Sequence, residues 1–131
     1  MKDEVRVGFD IESKELDLST VVPKSIWQGY MMVPLQFKIL FLLAFLYKER
    51  SKKIIVFLST CESVNYFYKL FSGLDWSKFF NDGEGEQILK NIYKLHGSIP
   101  HDERKVTFRD FDKATQSVLF ATDVASRGLD F

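Results

Sequence analysis

The sequence has few of the features that crosslink a protein or carry it into a membrane. Cys61 is its only cysteine, which excludes an internal disulfide and a cysteine-based zinc site and favours a reducing compartment. The longest apolar run, Ile39 to Tyr47, is about half of the roughly 20 residues that a membrane span needs. The charged start at Met1 does not resemble a signal peptide. The sequence therefore predicts a soluble, intracellular protein with no membrane partner.

Net charge is also lacking, because 18 basic and 18 acidic side chains cancel. Without a broad positive field, nucleic acid would have to be held by a few placed residues. At 131 residues and 46% hydrophobic composition, the chain is long enough to bury one core. Charges mix with isolated apolar residues over residues 1–22, so we expect a linker or tail there and a single domain over residues 23–131.

Strand and helix patterns alternate along that domain. Strands are predicted at Ile26–Val33, Lys53–Leu58, Asn91–His96 and Ser117–Ala121, and helices over Leu35–Leu46, Cys61–Phe71 and from Pro100 through Phe111. Because Lys53–Leu58 is an unbroken apolar run after its first residue, we expect it to be a central strand covered on both faces. The alternation is typical of a parallel sheet with helices on both faces.

Local signals indicate where the second helix begins and ends. Ser59 and Glu62 have the spacing of a capping box, and Gly73 is a residue type that commonly ends helices. The acidic, turn-rich segment Asn81–Glu86 predicts a mobile loop.

A polar corner follows the last predicted strand, with the sequence Ala121-Thr122-Asp123-Val124-Ala125-Ser126-Arg127-Gly128-Leu129-Asp130. Such a corner at the carboxyl end of a parallel strand is a common ligand site. Together with Leu95-His96-Gly97 and Val56–Thr60 upstream, it resembles motifs V, IVa and IV of the C-terminal, or second, RecA-like domain of DEAD-box ATP-dependent RNA helicases. The resemblance implies a three-layer α/β fold with a mainly parallel sheet and helices on both faces. It also implies a partial helicase C-terminal domain, incomplete at its C-terminus, because the chain stops after motif V.

The resemblance implies roles for individual residues. Four residues would bind RNA phosphates: Gly97, His101, Arg104 and Thr122. Asp130, with Gly128 beside it, would bind the ATP ribose. Arg127 would contact the first RecA-like domain. Hydroxyls and backbone amides can hold phosphate, and a carboxylate can accept from a ribose hydroxyl. Many relatives have glutamine in place of His101, whose ring nitrogen could still donate to phosphate. No metal ligand is expected in this chain, and the Mg²⁺ that accompanies ATP would be held by the first domain.

The expected activity belongs to a longer protein. The chain contains neither a phosphate-binding loop of the Gly-x-x-x-x-Gly-Lys type nor an Asp-Glu-Ala-Asp tetrad, so by itself it should not hydrolyse ATP. Ser59-Thr60-Cys61 and the long connection before Leu95 are similar to a nucleolar subgroup engaged in large-subunit ribosome assembly. That similarity implies RNA and pre-ribosomal particles as partners and a nuclear, nucleolar location.

Other interpretations remain open at this point. The chain could be a catalytically inactive RecA-like interaction module of a ribonucleoprotein, or another superfamily-two helicase. A small nucleotide-binding or flavodoxin-like signalling domain would need a phosphate loop after its first strand, and none is visible. Asp123 and Arg127, four residues apart, could be no more than an exposed ion pair. We expect His96 to be a packed or hydrogen-bonded structural histidine rather than a catalyst.

Overall fold

A computed structural model of the chain describes residues 25–78, 89, 91–123 and 127. The chain divides into two compact units, Met1–Leu42 and Leu43–Phe131. Two regions with sequence-based expectations, the tail at residues 1–22 and the acidic loop Asn81–Glu86, lie outside the described residues.

The expected strand at Ile26–Val33 is wrong. Within it only Met31 forms an isolated bridge, and the rest of the segment has irregular backbone. Its apolar composition suits a strand, but β-propensity depends on packing against neighbouring strands, and large side chains such as Trp27 and Met32 are exposed here. After Pro34 the chain turns into a short 3-10 segment, Leu35–Phe37, in which the Phe37 amide donates to the Pro34 carbonyl at 2.9 Å.

Helix α1 spans Lys38–Lys48, as the helical spacing of its leucines predicted. Leu43 and Leu46, one turn apart, are buried in the second unit. At the C-terminal end, Arg50 donates from Nη1 to the Tyr47 carbonyl at 2.8 Å and lies over the Tyr47 ring. A cation at this end satisfies a terminal carbonyl and suits the helix dipole.

Among the described residues, the sheet consists of three parallel strands, β1 (Lys53–Leu58), β2 (Ile92–Leu95) and β3 (Ser117–Thr122), in the order β1-β3-β2. All six residues of β3 are buried. Among the described residues β1 is an edge strand, so the expectation that it is central was wrong. Its apolar sequence is only partly buried. Ile54, Ile55 and Val56 are half-buried, whereas Phe57 is 55% exposed.

Two helices cover opposite faces of the sheet. Successive strand residues point to opposite faces, and Phe120 packs against Phe67 and Phe71 of α2, which spans Cys61–Ser72. On the other face, Leu119 lies in a buried cluster with Phe111 of α3, the helix His101–Lys113. The structure therefore has the α/β architecture that the sequence predicted, with a parallel sheet and helices on both faces.

The two helices begin differently. Thr60 is the N-cap of α2 and its Oγ1 accepts from the Ser63 amide at 3.1 Å, so the capping box expected between Ser59 and Glu62 is wrong by one residue. The Gly73 amide donates to the Lys69 carbonyl at the end of α2, which confirms Gly73 as the terminating residue. Helix α3 has Pro100 at its N-cap and therefore no side-chain cap.

Candidate nucleic-acid interface

The carboxyl ends of the three strands lie level at one edge of the sheet. Leu58 at the end of β1 pairs in register with Thr122, and Leu95 at the end of β2 pairs with Ala121. His96, one residue beyond β2, is therefore level with Thr122. Since α2 and α3 begin just after β1 and β2, their N-termini lie at this same edge, where parallel α/β folds commonly bind ligands. The sheet thus brings Leu58, His96 and Thr122, one residue from each segment that resembles motifs IV, IVa and V, to one edge.

Thr122 closes the central strand with a buried side chain. It is only 4% exposed, and its Oγ1 has no hydrogen-bond partner among the described residues. An unsatisfied buried hydroxyl costs about 1–3 kcal/mol. The sequence predicted that the Thr122 hydroxyl contacts RNA. In the structure this hydroxyl lacks a partner among the described residues, but it is not open to solvent.

Arg127 and Asp123 form the ion pair that the sequence analysis had considered. Arg127 Nη2 lies 3.7 Å from Asp123 Oδ2, and the two side chains are 77% and 71% exposed. A long ion pair in water contributes little stability. Because the Arg127 side chain is exposed, its guanidinium is accessible to another domain. Gly128 and Asp130, the predicted nucleotide contacts, lie outside the described residues.

His96 is buried and hydrogen-bonded, as predicted for a structural histidine. Its Nε2 lies 2.9 Å from Oδ1 of Asn65 on α2, and its Nδ1 accepts from the Ser98 amide at 3.2 Å. Lys94 Nζ donates to the same Asn65 oxygen at 3.1 Å. Burial lowers the pKa of His96 below its ordinary value of 6.5, the positive charge of Lys94 lowers it further, and Glu62 opposes both effects. The surroundings of His96 therefore favour its neutral form.

Asn65 was not found by sequence reasoning. It is a polar residue on an exposed part of α2 and precedes His96 by 31 positions. No local periodicity or motif connects residues so far apart, so only the tertiary fold identifies the pair.

Gly97 leaves open space at the turn between β2 and α3. A β-carbon at Gly97 would meet no described atom within 4 Å, and the backbone is not in the left-handed region that favours glycine. Neither packing nor backbone conformation among the described residues therefore demands a glycine here. A bound partner that approaches the backbone closely would demand one.

The first turn of α3 presents two of the predicted RNA-binding side chains. His101 and Arg104 are three residues apart on the helix and so share a face. Arg104 is half-buried, and its Nε is buried without a hydrogen-bond partner among the described residues. Because Pro100 supplies no side-chain cap, the amides that begin α3 also lack an acceptor from that side chain. A helix start without a side-chain cap suits an anion such as phosphate.

The part of the chain that the structure describes contains no cluster of histidine, cysteine, aspartate and glutamate side chains that could hold a metal ion. None of the helices in these residues has the length and apolar character needed to cross a bilayer. Cys61, at the start of α2, is a free thiol.

Comparison with known proteins gives consistent matches. Residues 37–131 match the family described as "Helicase conserved C-terminal domain". The chain is 35% identical over 117 residues to DEAD-box ATP-dependent RNA helicase 17 of Oryza sativa subsp. japonica, a match that covers 84% of this chain and 20% of that protein.

Two further relatives cover nearly the whole chain. Identity is 38% over 126 residues to probable ATP-dependent RNA helicase ddx18 of Dictyostelium discoideum, covering 96% of this chain and 18% of that protein. It is 33% over 129 residues to ATP-dependent RNA helicase DDX18 of Homo sapiens, covering 98% and 16% respectively. The chain thus spans about a fifth of the length of these relatives or slightly less.

Proposed function

This chain belongs to the helicase conserved C-terminal domain family, and we propose that it serves as the second RecA-like lobe of a DEAD-box ATP-dependent RNA helicase. In that role it holds RNA phosphates and the nucleotide ribose during RNA unwinding or remodelling. The relatives named as ATP-dependent RNA helicases support the activity. The parallel sheet, with polar segments gathered at its carboxyl edge, supports the location of the site.

The observation that carries the RNA assignment is the combination of one unpaired donor, a helix start without a side-chain cap and open space around the start of α3. Arg104 Nε is buried and lacks a partner among the described residues, the helix start has no side-chain cap, and Gly97 leaves room for a close approach. RNA phosphate supplies acceptor oxygens for the Arg104 guanidinium, and the contact with Nε forms when the side chain reorients on binding. His101, on the same face as Arg104, adds a ring nitrogen that can donate. Such contacts hold the backbone without reading sequence.

Thr122 contributes a second RNA contact in this proposal. Its Oγ1 is buried and has no partner among the described residues. A phosphate oxygen can pair with it once the residues around Thr122 rearrange as RNA binds. We therefore assign the Thr122 contact to the RNA-bound form of the protein.

The nucleotide contacts follow from the resemblance at motif V. Asp130 accepts from the ribose hydroxyls, Gly128 allows close approach of the backbone, and Arg127 contacts the first RecA-like lobe. The exposure of Arg127 supports that role, because a guanidinium in a weak surface ion pair can exchange partners at low cost. When bound, ATP with Mg²⁺ supplies the phosphoryl group whose hydrolysis resets the protein, and the metal is held by the first lobe.

The two lobes act as a clamp in this mechanism. RNA and nucleotide both contact this lobe and the first lobe, so each ligand favours closure and raises affinity for the other. We further propose a nucleolar role in ribosome assembly, on pre-ribosomal particles. That assignment rests on Ser59-Thr60-Cys61 and on the long connection before Leu95. Common relatives have a basic residue shortly after motif IV, whereas Cys61 and Glu62 occur here.

Two substitutions in the full-length protein separate the proposed roles. Arg104→Ala should weaken RNA binding and reduce its salt dependence by about one unit of slope, because one phosphate contact is lost. Asp130→Ala should weaken use of ATP while largely retaining RNA affinity in the absence of nucleotide. Arg109→Ala removes an exposed arginine further along α3 and is the matched control.

The readouts are RNA affinity over a range of salt concentrations and RNA-stimulated ATP hydrolysis. Both variants behaving like the unsubstituted protein would exclude the proposed roles. Absence of any RNA-stimulated hydrolysis in the unsubstituted full-length protein would instead favour the inactive interaction module.

A further inference from the structure

The hydrogen bonds around His96 define its protonation and orientation. The Ser98 amide can only donate, so His96 Nδ1 must be the accepting nitrogen. In the neutral ring the proton therefore lies on Nε2, which donates to Asn65 Oδ1. Lys94 Nζ can also only donate, which independently requires the oxygen of the Asn65 amide at this position. The three donors and two acceptors fit a single arrangement.

This arrangement connects α2 to the turn that precedes α3. Asn65 lies on α2, His96 follows β2, and the Ser98 amide held by His96 is in the turn beyond Gly97. The Ile99 amide donates to the His96 carbonyl at 3.1 Å, which closes the same turn. The peptide groups on both sides of Gly97 are therefore held by the His96 ring and the Ile99 amide, and Asn65 acts on this turn through the His96 ring.

We propose that Asn65 is a positioning residue for RNA binding, which orients His96 so that the Gly97 turn and the start of α3 are held ready for phosphate. The inference rests on the proposed function, since it concerns the same RNA-binding edge. Asn65 is not expected to touch RNA through its oxygen, because that atom already accepts two hydrogen bonds. Its contribution is to reduce the reorganisation needed when RNA binds.

An amide suits this position better than a carboxylate would. The groups that affect the charge of His96 are Lys94 on β2 and Glu62 on α2, and burial together with Lys94 favours the neutral ring. An aspartate at position 65 would add a negative charge beside Nε2 and raise the pKa of His96. Protonation at Nδ1 would then remove the acceptor for the Ser98 amide and release the turn. The identity of residue 65 therefore sets the pH range in which the turn is fixed.

The experiment measures RNA affinity of the full-length protein against pH in a His101→Gln background. That background removes the chain's second histidine, an imidazole that could itself bind phosphate. Asn65→Leu preserves approximate side-chain size but removes the acceptor that orients His96. It should weaken RNA binding about tenfold across the pH range. Asn65→Asp retains an acceptor and should bind RNA normally in alkali but lose affinity on acidification at a pH roughly one unit higher than the background protein.

Two controls make the result decisive. Lys69→Ala removes an exposed charge one turn further along α2, outside this hydrogen-bond network, and should leave both affinity and pH profile unchanged. Nitrogen chemical shifts of selectively labelled histidine should show His96 as the Nε2–H tautomer, a readout that does not depend on RNA. An Nδ1–H tautomer would overturn the inference.

Arg104→Ala separates failure of this inference from failure of the proposed function. If Arg104→Ala weakens RNA binding while both Asn65 variants match the background protein in affinity and pH profile, the positioning role is wrong and the RNA site stands. If Arg104→Ala has no effect either, the proposed RNA site is wrong and the positioning role falls with it.

Discussion

Phe120 of the central strand packs against Phe71 of α2, with their ring centroids 5.5 Å apart and both side chains fully buried. This pair attaches α2 to the sheet. Phe120→Ala should lower the free energy of unfolding by about 3–5 kcal/mol, because it removes aromatic contacts and leaves a cavity. Urea denaturation of the chain measures the change.

Phe57→Ala is the matched control for that substitution. Phe57 lies on the edge strand β1 and is more than half exposed. We expect a loss under about 1 kcal/mol, since little apolar surface leaves water at this position. Equal losses in the two variants would mean that the buried aromatic cluster does not anchor α2.

The N-cap of α2 gives a second prediction. Thr60→Ala should destabilise the chain by about 1 kcal/mol, because the Ser63 amide loses its acceptor. Thr60→Ser retains the oxygen and should restore most of the stability. Ser59→Ala should have little effect by the same denaturation measurement, and a larger loss there than at Thr60 would favour the capping box that the sequence suggested.

Acidification should destabilise the protein through His96. The folded protein lowers the pKa of His96, so the unfolded chain takes up its proton at higher pH than the folded chain. The contribution of His96 to stability is therefore complete above its ordinary pKa of 6.5 and is lost as the pH falls through the unfolded and then the folded pKa.

Replacement of His96 by Gln tests this linkage. The free energy of unfolding is compared between about pH 7 and about pH 5, a range that brackets the ordinary histidine pKa. The His96→Gln protein should lose less stability over this interval than the unsubstituted protein. An identical or steeper loss in His96→Gln would contradict the assignment of a lowered pKa to His96.

Elements with a sustained local pattern were predicted well from the sequence. The strand Lys53–Leu58 and the helix after Pro100 have the expected positions, because apolar periodicity and helix-start residues act over short distances. The strand expected at Ile26–Val33 had only composition in its favour, and composition does not supply a neighbouring strand. The position of β1 at an edge likewise depends on which strand lies beside it, which β1 alone does not encode.

The candidate site was predicted in part. The order of the motifs predicted that the site segments follow neighbouring parallel strands. The register of the strands brings the ends of β1, β2 and β3 to one edge of the sheet. Asn65 escaped notice because its role depends on contacts with residues from another element. The burial of Thr122 also could not be read from a polar residue at a strand end, since it depends on what packs over β3. Gly97 was assigned by resemblance, and the structure adds that no described contact accounts for it.

The central claim, that the turn before α3 binds RNA phosphate, is tested most directly by adding one methyl group at Gly97. Because a β-carbon there meets no described atom, Gly97→Ala should retain the free energy of unfolding or raise it by up to about 1 kcal/mol. Gly73→Ala is the matched control, since its β-carbon would lie 3.3 Å from the Lys69 carbonyl at the far end of α2. It should leave RNA affinity unchanged.

The measurement is RNA affinity of the full-length protein at fixed salt, alongside thermal denaturation of the same samples. The account predicts that Gly97→Ala folds normally and binds RNA about tenfold more weakly, as expected if the phosphate backbone occupies the open space. Gly73→Ala should leave RNA affinity unchanged. Unchanged RNA affinity in a normally folded Gly97→Ala protein would contradict the account.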